Sequence, residues 1–158
     1  MRGKKSVKRT IKPDPKYGSV ILAKFINQLM MGGKKTTAQN VVYGAMDEIA
    51  KQSKKDPLAV FEEAIKNVQP QVEVRSRRVG GANYQVPLPV QGHRQNGLSF
   101  RWIIGAARAK KGQPMAQKLA TVLNEAAQGL GDAIRKRDDV HRMAEANKAF
   151  AHFARFVK

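Results

Sequence analysis

The sequence predicts a mainly α-helical, bundle-like domain of six helices with a protruding two-stranded β-ribbon between the third and fourth helices. Two observations carry that prediction. Apolar residues recur three or four apart through most of the chain, and in one stretch, VEVRSRRVGGANYQVPLPV from Val72 to Val90, the period drops to two. A third observation concerns partners: 30 Lys and Arg against 12 Asp and Glu give a formal charge of +18. At 158 residues the chain suits one domain large enough to bury its own core. Its organisation reads as a basic N-terminal arm over 1–18 and a single helical domain over 19–158, with the ribbon at about 72–90.

The arm carries Arg2, Lys4, Lys5, Lys8, Arg9, Lys12 and Lys16 against one acid, Asp14, and has too little apolar surface to order itself. From Ser19, a cap, the first helix sets Leu22, Phe25, Ile26 and Leu29 on one face, and Gly32-Gly33 end it in the left-handed conformation that glycine tolerates. Thr36 or Thr37 caps the second helix, whose face is Ala38, Val41, Val42, Ala45, Met46 and Ile49; Lys51, Lys54 and Lys55 close it, where cations complement the helix dipole. Asp56-Pro57 is a cap followed by proline at the first helical position, and Leu58, Phe61, Ile65 and Val68 form the third stripe.

After Pro70 the alternation begins. Val72, Val74 and Ser76 alternate with Glu73, Arg75 and Arg77, and beyond GGAN the apolar Tyr84, Val86, Leu88 and Val90 alternate with Gln85, Pro87 and Pro89. Neither proline can donate to a ladder, so this strand does not belong inside a wide sheet. Helical spacing resumes over Leu98–Arg108, breaks at KKGQP, returns from Met115 to Ala126, and starts again at Asp132 in a last helix that carries Ile134, Val140, Met143, Ala144, Phe150 and Ala151. Polar Asn147 interrupts that stripe and signals an exposed face or a helix end nearby.

The charge decides the class of partner. Self-repulsion of this size is offset by a polyanion, and nucleic acid supplies phosphates whose condensed counterions binding releases. No run approaches the roughly 20 apolar residues of a membrane span, and the basic start leads into KPDPKYG rather than an apolar core, so the expectation is a cytoplasmic protein without a membrane partner. With no cysteine there is no disulfide, thiolate zinc site or thiol nucleophile. Two strands alone are marginal in water, so an outside surface is expected to complete the ribbon, and Arg75, Arg77 and Arg78, with Arg94 nearby, suit a phosphate-rich one. Eight residues per strand at about 3.3 Å each reach roughly 25 Å. The alternative is a ribbon folded back on the helices with its arginines in solvent.

Other candidate chemistry is absent. GGKKTT lacks the earlier glycine of a nucleotide-binding loop, since Gln28 stands there, and helix stop then helix cap accounts for it. His93, His141 and His152 share no metal-ligand spacing. Adjacent Glu62 and Glu63 diverge on a helix, and Asp138-Asp139 sits in a mixed-charge face, RKRDDVHR. No catalytic constellation, cofactor motif or metal site is legible, so the reading is not an enzyme. Phe25, Phe61 and Phe100 fall on core stripes, while Tyr84, Phe153 and Phe156 are more open to contact. The runner-up on physics alone is an architectural DNA-binding protein with a basic β-ribbon, which would ordinarily dimerise; the present chain is expected to be a monomer when free.

Five blocks in order, PDPKYGS, KFINQLMMGGKKTTAQNVVYGAMDEI, DPLAVFEEAIKNVQPQVEVRSRRVGGANYQVPLPV, FRWIIGAARAK and RDDVHRMAEANKAFAHF, resemble the small-subunit ribosomal protein seven family in its bacterial and organellar form. The resemblance implies a structural protein that binds the 3′ major domain of small-subunit rRNA and helps nucleate assembly of the head. It implies a place near the exit-site tRNA and the messenger path, with ribosomal protein eleven and other head proteins as neighbours. Carried onto matching positions, it turns the basic arm (Arg2, Lys4, Lys5, Lys8, Arg9), Lys34 and Lys35, and Lys110, Lys111 and Met115 toward rRNA. Arg94, Arg101 and Arg108 are assigned to the same set, and Arg75, Arg77, Arg78, Tyr84 and Arg142 face tRNA and messenger. The ending FAHFARFVK departs from the family's common FAHYRW, and QNGLS is less basic than the family pattern, so Asn96 and Ser99 receive no RNA role.

Overall fold

The structure, a computed structural model, describes residue 3 and residues 10–156. Its described residues form helices α1 (Val20–Leu29), α2 (Lys35–Ser53) and α3 (Pro57–Val68), strands β1 (Val72–Val79) and β2 (Ala82–Pro89), helices α4 (Gly92–Ala109), α5 (Met115–Ala127) and α6 (Asp132–Ala146), and a terminal 3-10 helix (Lys148–Phe156). The predicted class is what forms: mostly helix, with one antiparallel hairpin between the third and fourth helices. The described residues fall into two compact units, divided after Asn40.

In the first unit Asp14 builds the entry to α1. Its Oδ2 accepts the N–H groups of Lys16 and Tyr17, both at 3.1 Å, and its carbonyl accepts from Gly18 at 2.8 Å. Ser19 Oγ then caps α1 by accepting from Leu22 N–H at 3.3 Å, as its hydroxyl predicts. Leu22, Phe25, Ile26 and Leu29 are buried. Gly32 and Gly33 take φ of +58° and +74°, and the chain reverses so that Lys34 N–H reaches Met31 O. The cap of α2 is not a threonine. Lys34 occupies that place, its carbonyl accepting from Ala38 N–H at 3.3 Å, and Thr36 and Thr37 lie inside the first turn. The early glycine turn starts the helix two or three residues sooner than a Thr36 or Thr37 cap would.

In the second unit α3 packs most extensively on α5, and α4 lies against both α5 and α6. Phe61, Val68, Ile103, Leu119 and Leu123 are at most 1% exposed, so most of the stripe read for α3–α5 is core, whereas the last stripe buries only Ile134 and Ala144 and leaves Met143 47% exposed. Asp56 Oδ1 accepts from Leu58 N–H and Pro57 opens α3, as expected. Gly44 of α2 lies so close to α5 that an added Cβ would sit 3.3 Å from Ala116 Cβ.

Two boundaries differ from expectation. Helix α4 begins at Gly92, not Leu98, because polar tertiary contacts hold a first turn that has no apolar period: Arg94 meets Glu73, and Asn96 Oδ1 accepts from Gln69 Nε2 at 2.6 Å. Helix α6 ends at Ala146 instead of running on to Ala151. Asn147 folds its Nδ2 back onto Met143 O at 2.8 Å, tightening the last turn, and the chain continues as a 3-10 helix.

Gly80 and Gly81, with φ of +58° and +92°, form the two-residue hairpin turn, and no β-carbon would be tolerated there without strain. The register pairs Glu73 with Leu88, Arg75 with Val86, and Arg77 with Tyr84. Directly opposed residues share a face. One face of the ribbon therefore mixes Glu73, Arg75 and Arg77 of β1 with Leu88, Val86 and Tyr84 of β2, and the other joins Val72 and Val74 to Pro89 and Pro87 and carries Arg78 nearer the turn. The expectation that only an outside surface completes the ribbon is corrected here: β1 and β2 contact α6, and β2 also contacts the 3-10 helix. Val86 is 0% exposed.

Candidate nucleic-acid interface

Acids are the scarce resource, and the fold uses them locally. Glu73 binds Arg75 and Arg94, Glu125 binds Lys110 at 2.6 Å, Asp138 binds Arg137 at 2.6 Å, and Asp139 binds Arg142 at 2.7 Å. This sorts the predicted site residues into two groups. Arg75, Arg94, Lys110 and Arg142 already hold a carboxylate. Lys34, Lys35, Arg77, Arg78, Arg101 and Lys111 have no carboxylate partner among the described residues, and all but the half-buried Arg77 are exposed. Arg108 is exposed in the last turn of α4, and Met115 is half-buried in the first turn of α5. Arg2, Lys4, Lys5, Lys8 and Arg9 lie outside the described residues.

Two glycine joints present lysines by the same device. In the first unit, the positive φ values of Gly32 and Gly33 turn the backbone sharply and leave Lys34 and Lys35 exposed, beside Met31 at 69% exposure. In the second, Gly112 has φ +80° between Lys111 and the Pro114 that precedes α5. Lys110 leans back to Glu125, whereas Lys111 is exposed and pairs with no described acid. Compact ammonium groups on short turns suit phosphates, which they meet as point charges.

The ribbon is anchored at its base by groups that sequence reasoning missed. Gln71, the residue before β1, donates its N–H to His141 Nε2 on α6 at 3.2 Å, which ties the start of the ribbon to that helix. Arg137 of α6 donates to Asn67 O, and Asn67 Nδ2 in turn reaches the carbonyls of Ala126 and Ala127 at 3.1 and 2.9 Å, capping the end of α5. Among the described residues no three His, Asp or Glu side chains gather as a metal site.

Glu73 is the electrostatic centre of that base. Burial by itself raises its pKa, but the hydrogen bonds and charges of Arg94 and Arg75 outweigh the burial and hold the carboxyl below its ordinary value. Farther out, Tyr84 is not an open stacking platform. Its ring centroid lies 5.0 Å from Phe150 and 5.4 Å from Phe153, so the 3-10 helix covers it. Arg78 and the glycine turn beyond are exposed.

Among the described residues, six of the predicted site cations have no carboxylate partner and the ribbon that carries two of them is anchored at its base, an arrangement suited to a polyanion. No described helix is long and apolar enough to cross a membrane. The sequence profile of the family described as ribosomal protein S7p/S5e matches residues 1–148. Curated relatives called small ribosomal subunit protein uS7 are 57% identical in Thermotoga neapolitana, over 97% of this chain and 99% of theirs, and 55% identical in Marinobacter nauticus, over 96% and 97%. The relative of that name in Aeromonas salmonicida is 59% identical over 92% of this chain and 93% of its own. The chain belongs to the ribosomal protein S7p/S5e family, whose members are structural, non-enzymatic components of the ribosome.

Proposed function

We propose that this chain binds the 3′ major domain of small-subunit rRNA, helps nucleate head assembly, and lies near the exit-site tRNA and messenger. Its place as a structural protein of the small ribosomal subunit, in the cytoplasm, follows from the family and from the shared name of its relatives. The observation that carries the reading is the match over residues 1–148, which includes both lysine joints and the whole ribbon. The partnerless cations support it: Lys34, Lys35, Arg101 and Lys111, with the arm of residues 1–18, are the rRNA-facing set, and Arg77 and Arg78 face tRNA and messenger. Arg142, Tyr84 and Met115 join these sets as secondary contacts, the first two already engaged within the chain. Ribosomal protein eleven and other head proteins are the neighbours, and the free chain is a monomer whose residues 19–158 act as one RNA-binding domain.

The test is binding of the full chain to a transcript of the rRNA 3′ major domain and to duplex DNA of equal length, across a salt series. The expected result is strong preference for the folded RNA and a log-log salt slope of several released counterions. Equal affinity for the two would overturn the reading and restore the architectural DNA-binding alternative, which family membership does not support.

A further inference from the structure

Arg75 and Arg94 come from different elements, one from β1 and the other from the first turn of α4, yet both close on one carboxylate. Arg75 donates Nε–H to Glu73 Oε1 at 2.7 Å, with its Nη2 2.5 Å from the same oxygen, and Arg94 donates Nε–H to Oε2 at 2.9 Å. The acid is buried, at 8% exposure, whereas the two arginine side chains are 48% and 49% exposed. A guanidinium carries five N–H donors in one plane. Arg94 uses one of them and Arg75 two, so Nη1 of Arg75 and both Nη groups of Arg94 have no partner among the described residues. Two half-exposed forks are thus each fixed to a different oxygen of a single group, with their remaining donors uncommitted among the described residues and a net charge of +1 on the trio.

We infer that Glu73 is a positioning residue which sets Arg75 and Arg94 as a two-arginine seat for one phosphate of an RNA backbone. The inference rests on the RNA-binding reading above. Two effects of opposite sign decide what Glu73 does. As a charge, it cancels one of the two cations and weakens their attraction for phosphate. As a scaffold, it holds together two guanidiniums that would otherwise repel, and it removes beforehand rotamer freedom of each arginine that phosphate binding would have to freeze. The buried, two-sided geometry favours the second, because an acid serving only as a brake has no need of a hydrogen bond from each partner's Nε.

Glu73→Gln separates the two effects by sign. The probe is a transcript of the 3′ major domain of small-subunit rRNA, bound by the full chain. With positioning dominant, E73Q binds about tenfold more weakly although the protein has gained a positive charge, and its salt slope falls by about one counterion. Binding as tight as wild type or tighter, with the slope unchanged, overturns the inference. Arg94→Lys keeps the charge and the acid but removes the fork. It should weaken binding several-fold, and adding it to E73Q should cost little more, because both break the same seat. Should E73Q lose its cooperative melt, R94K alone decides: equal affinity for R94K and wild type overturns the seat. Failure of the wild-type chain to bind the transcript overturns instead the reading on which the seat rests.

Discussion

The α3–α5 interface and the base of the ribbon hold the same unit together by different physics. Between α3 and α5 the contacts are mainly apolar, with Phe61, Leu119 and Leu123 at most 1% exposed and no charge among them, and the Asn67 amide on the α5 carbonyls as the polar exception at one end. At the ribbon base the contacts are individual polar groups: Glu73 to Arg94, Gln71 to His141, and Arg137 to Asn67. Apolar contacts are numerous and non-directional, so the first region resists pH and salt as a whole. Polar contacts fix direction, so the second can aim a ribbon, but each depends on one partner and one protonation state.

The largest expected effect therefore falls in the apolar region. Phe61→Ala should cost about 3–5 kcal/mol, seen as a lowered melting temperature of the entire second unit, since a full phenyl ring is removed where nothing fills the space. A variant that melted only the ribbon would break the comparison. Next comes Asn67→Ala, which strips two hydrogen bonds from the end of α5 and should cost about 1–2 kcal/mol in denaturant titration. That loss lies at the seam between the two regions and tests whether the base leans on the helical core.

Tyr84→Leu sharpens the contrast from the ribbon side. It keeps apolar bulk but loses the ring contacts with Phe150 and Phe153, worth about 1 kcal/mol. Hydrogen exchange should quicken in β1, β2 and the 3-10 helix and stay unchanged in α3 and α5. Uniform quickening would mean that the terminal segment supports the core as well.

How much of this was legible in the sequence follows the same division. Phe61, Leu119 and the other stripe residues announce themselves because helical period is a local signal, and Gly80-Gly81 between alternating strands specifies its turn within four residues. Glu73, Asn67 and His141 gave no such signal. Their partners lie 21, 59 and 70 residues away, and a lone acid or histidine looks identical whether it is solvated or bolted across the fold. The arginines of the ribbon were visible as charge, but only the structure divides them into the held, Arg75, and those with no carboxylate partner among the described residues, Arg77 and Arg78. The six-residue error at the start of α4 has the same origin, since contacts to Glu73 and Gln69 hold a turn that propensity disfavours.

Acid should loosen the ribbon base selectively. Glu73 is held below its ordinary carboxyl value when folded, so the unfolded chain takes up its proton first as pH falls. Its contribution to stability is complete above the ordinary carboxyl range and is lost as pH falls through the lower folded value. The arginines that hold it are half exposed and screened by water, so the change is modest. Denaturation midpoints of wild type and Glu73→Gln should converge across that window. Curves that stay parallel would show that the carboxylate does not help to hold the base.

The smallest effect on stability, and the most specific one on binding, belongs to the ribbon's outer end. Arg78 is exposed, has no carboxylate partner among the described residues, and pairs across the ribbon with Asn83 next to the turn. Arg78→Gln should change stability by no more than about 0.5 kcal/mol, because nothing folded depends on it. A cation without an internal partner keeps its full charge for an external one. Its removal should therefore lower the salt slope of RNA binding by about one and weaken affinity for all sequences alike. If Arg78→Gln instead destabilised the fold as much as Asn67→Ala does, the outer end would be as firmly tied as the base, and the division between an anchoring and a reaching part of the ribbon would fail.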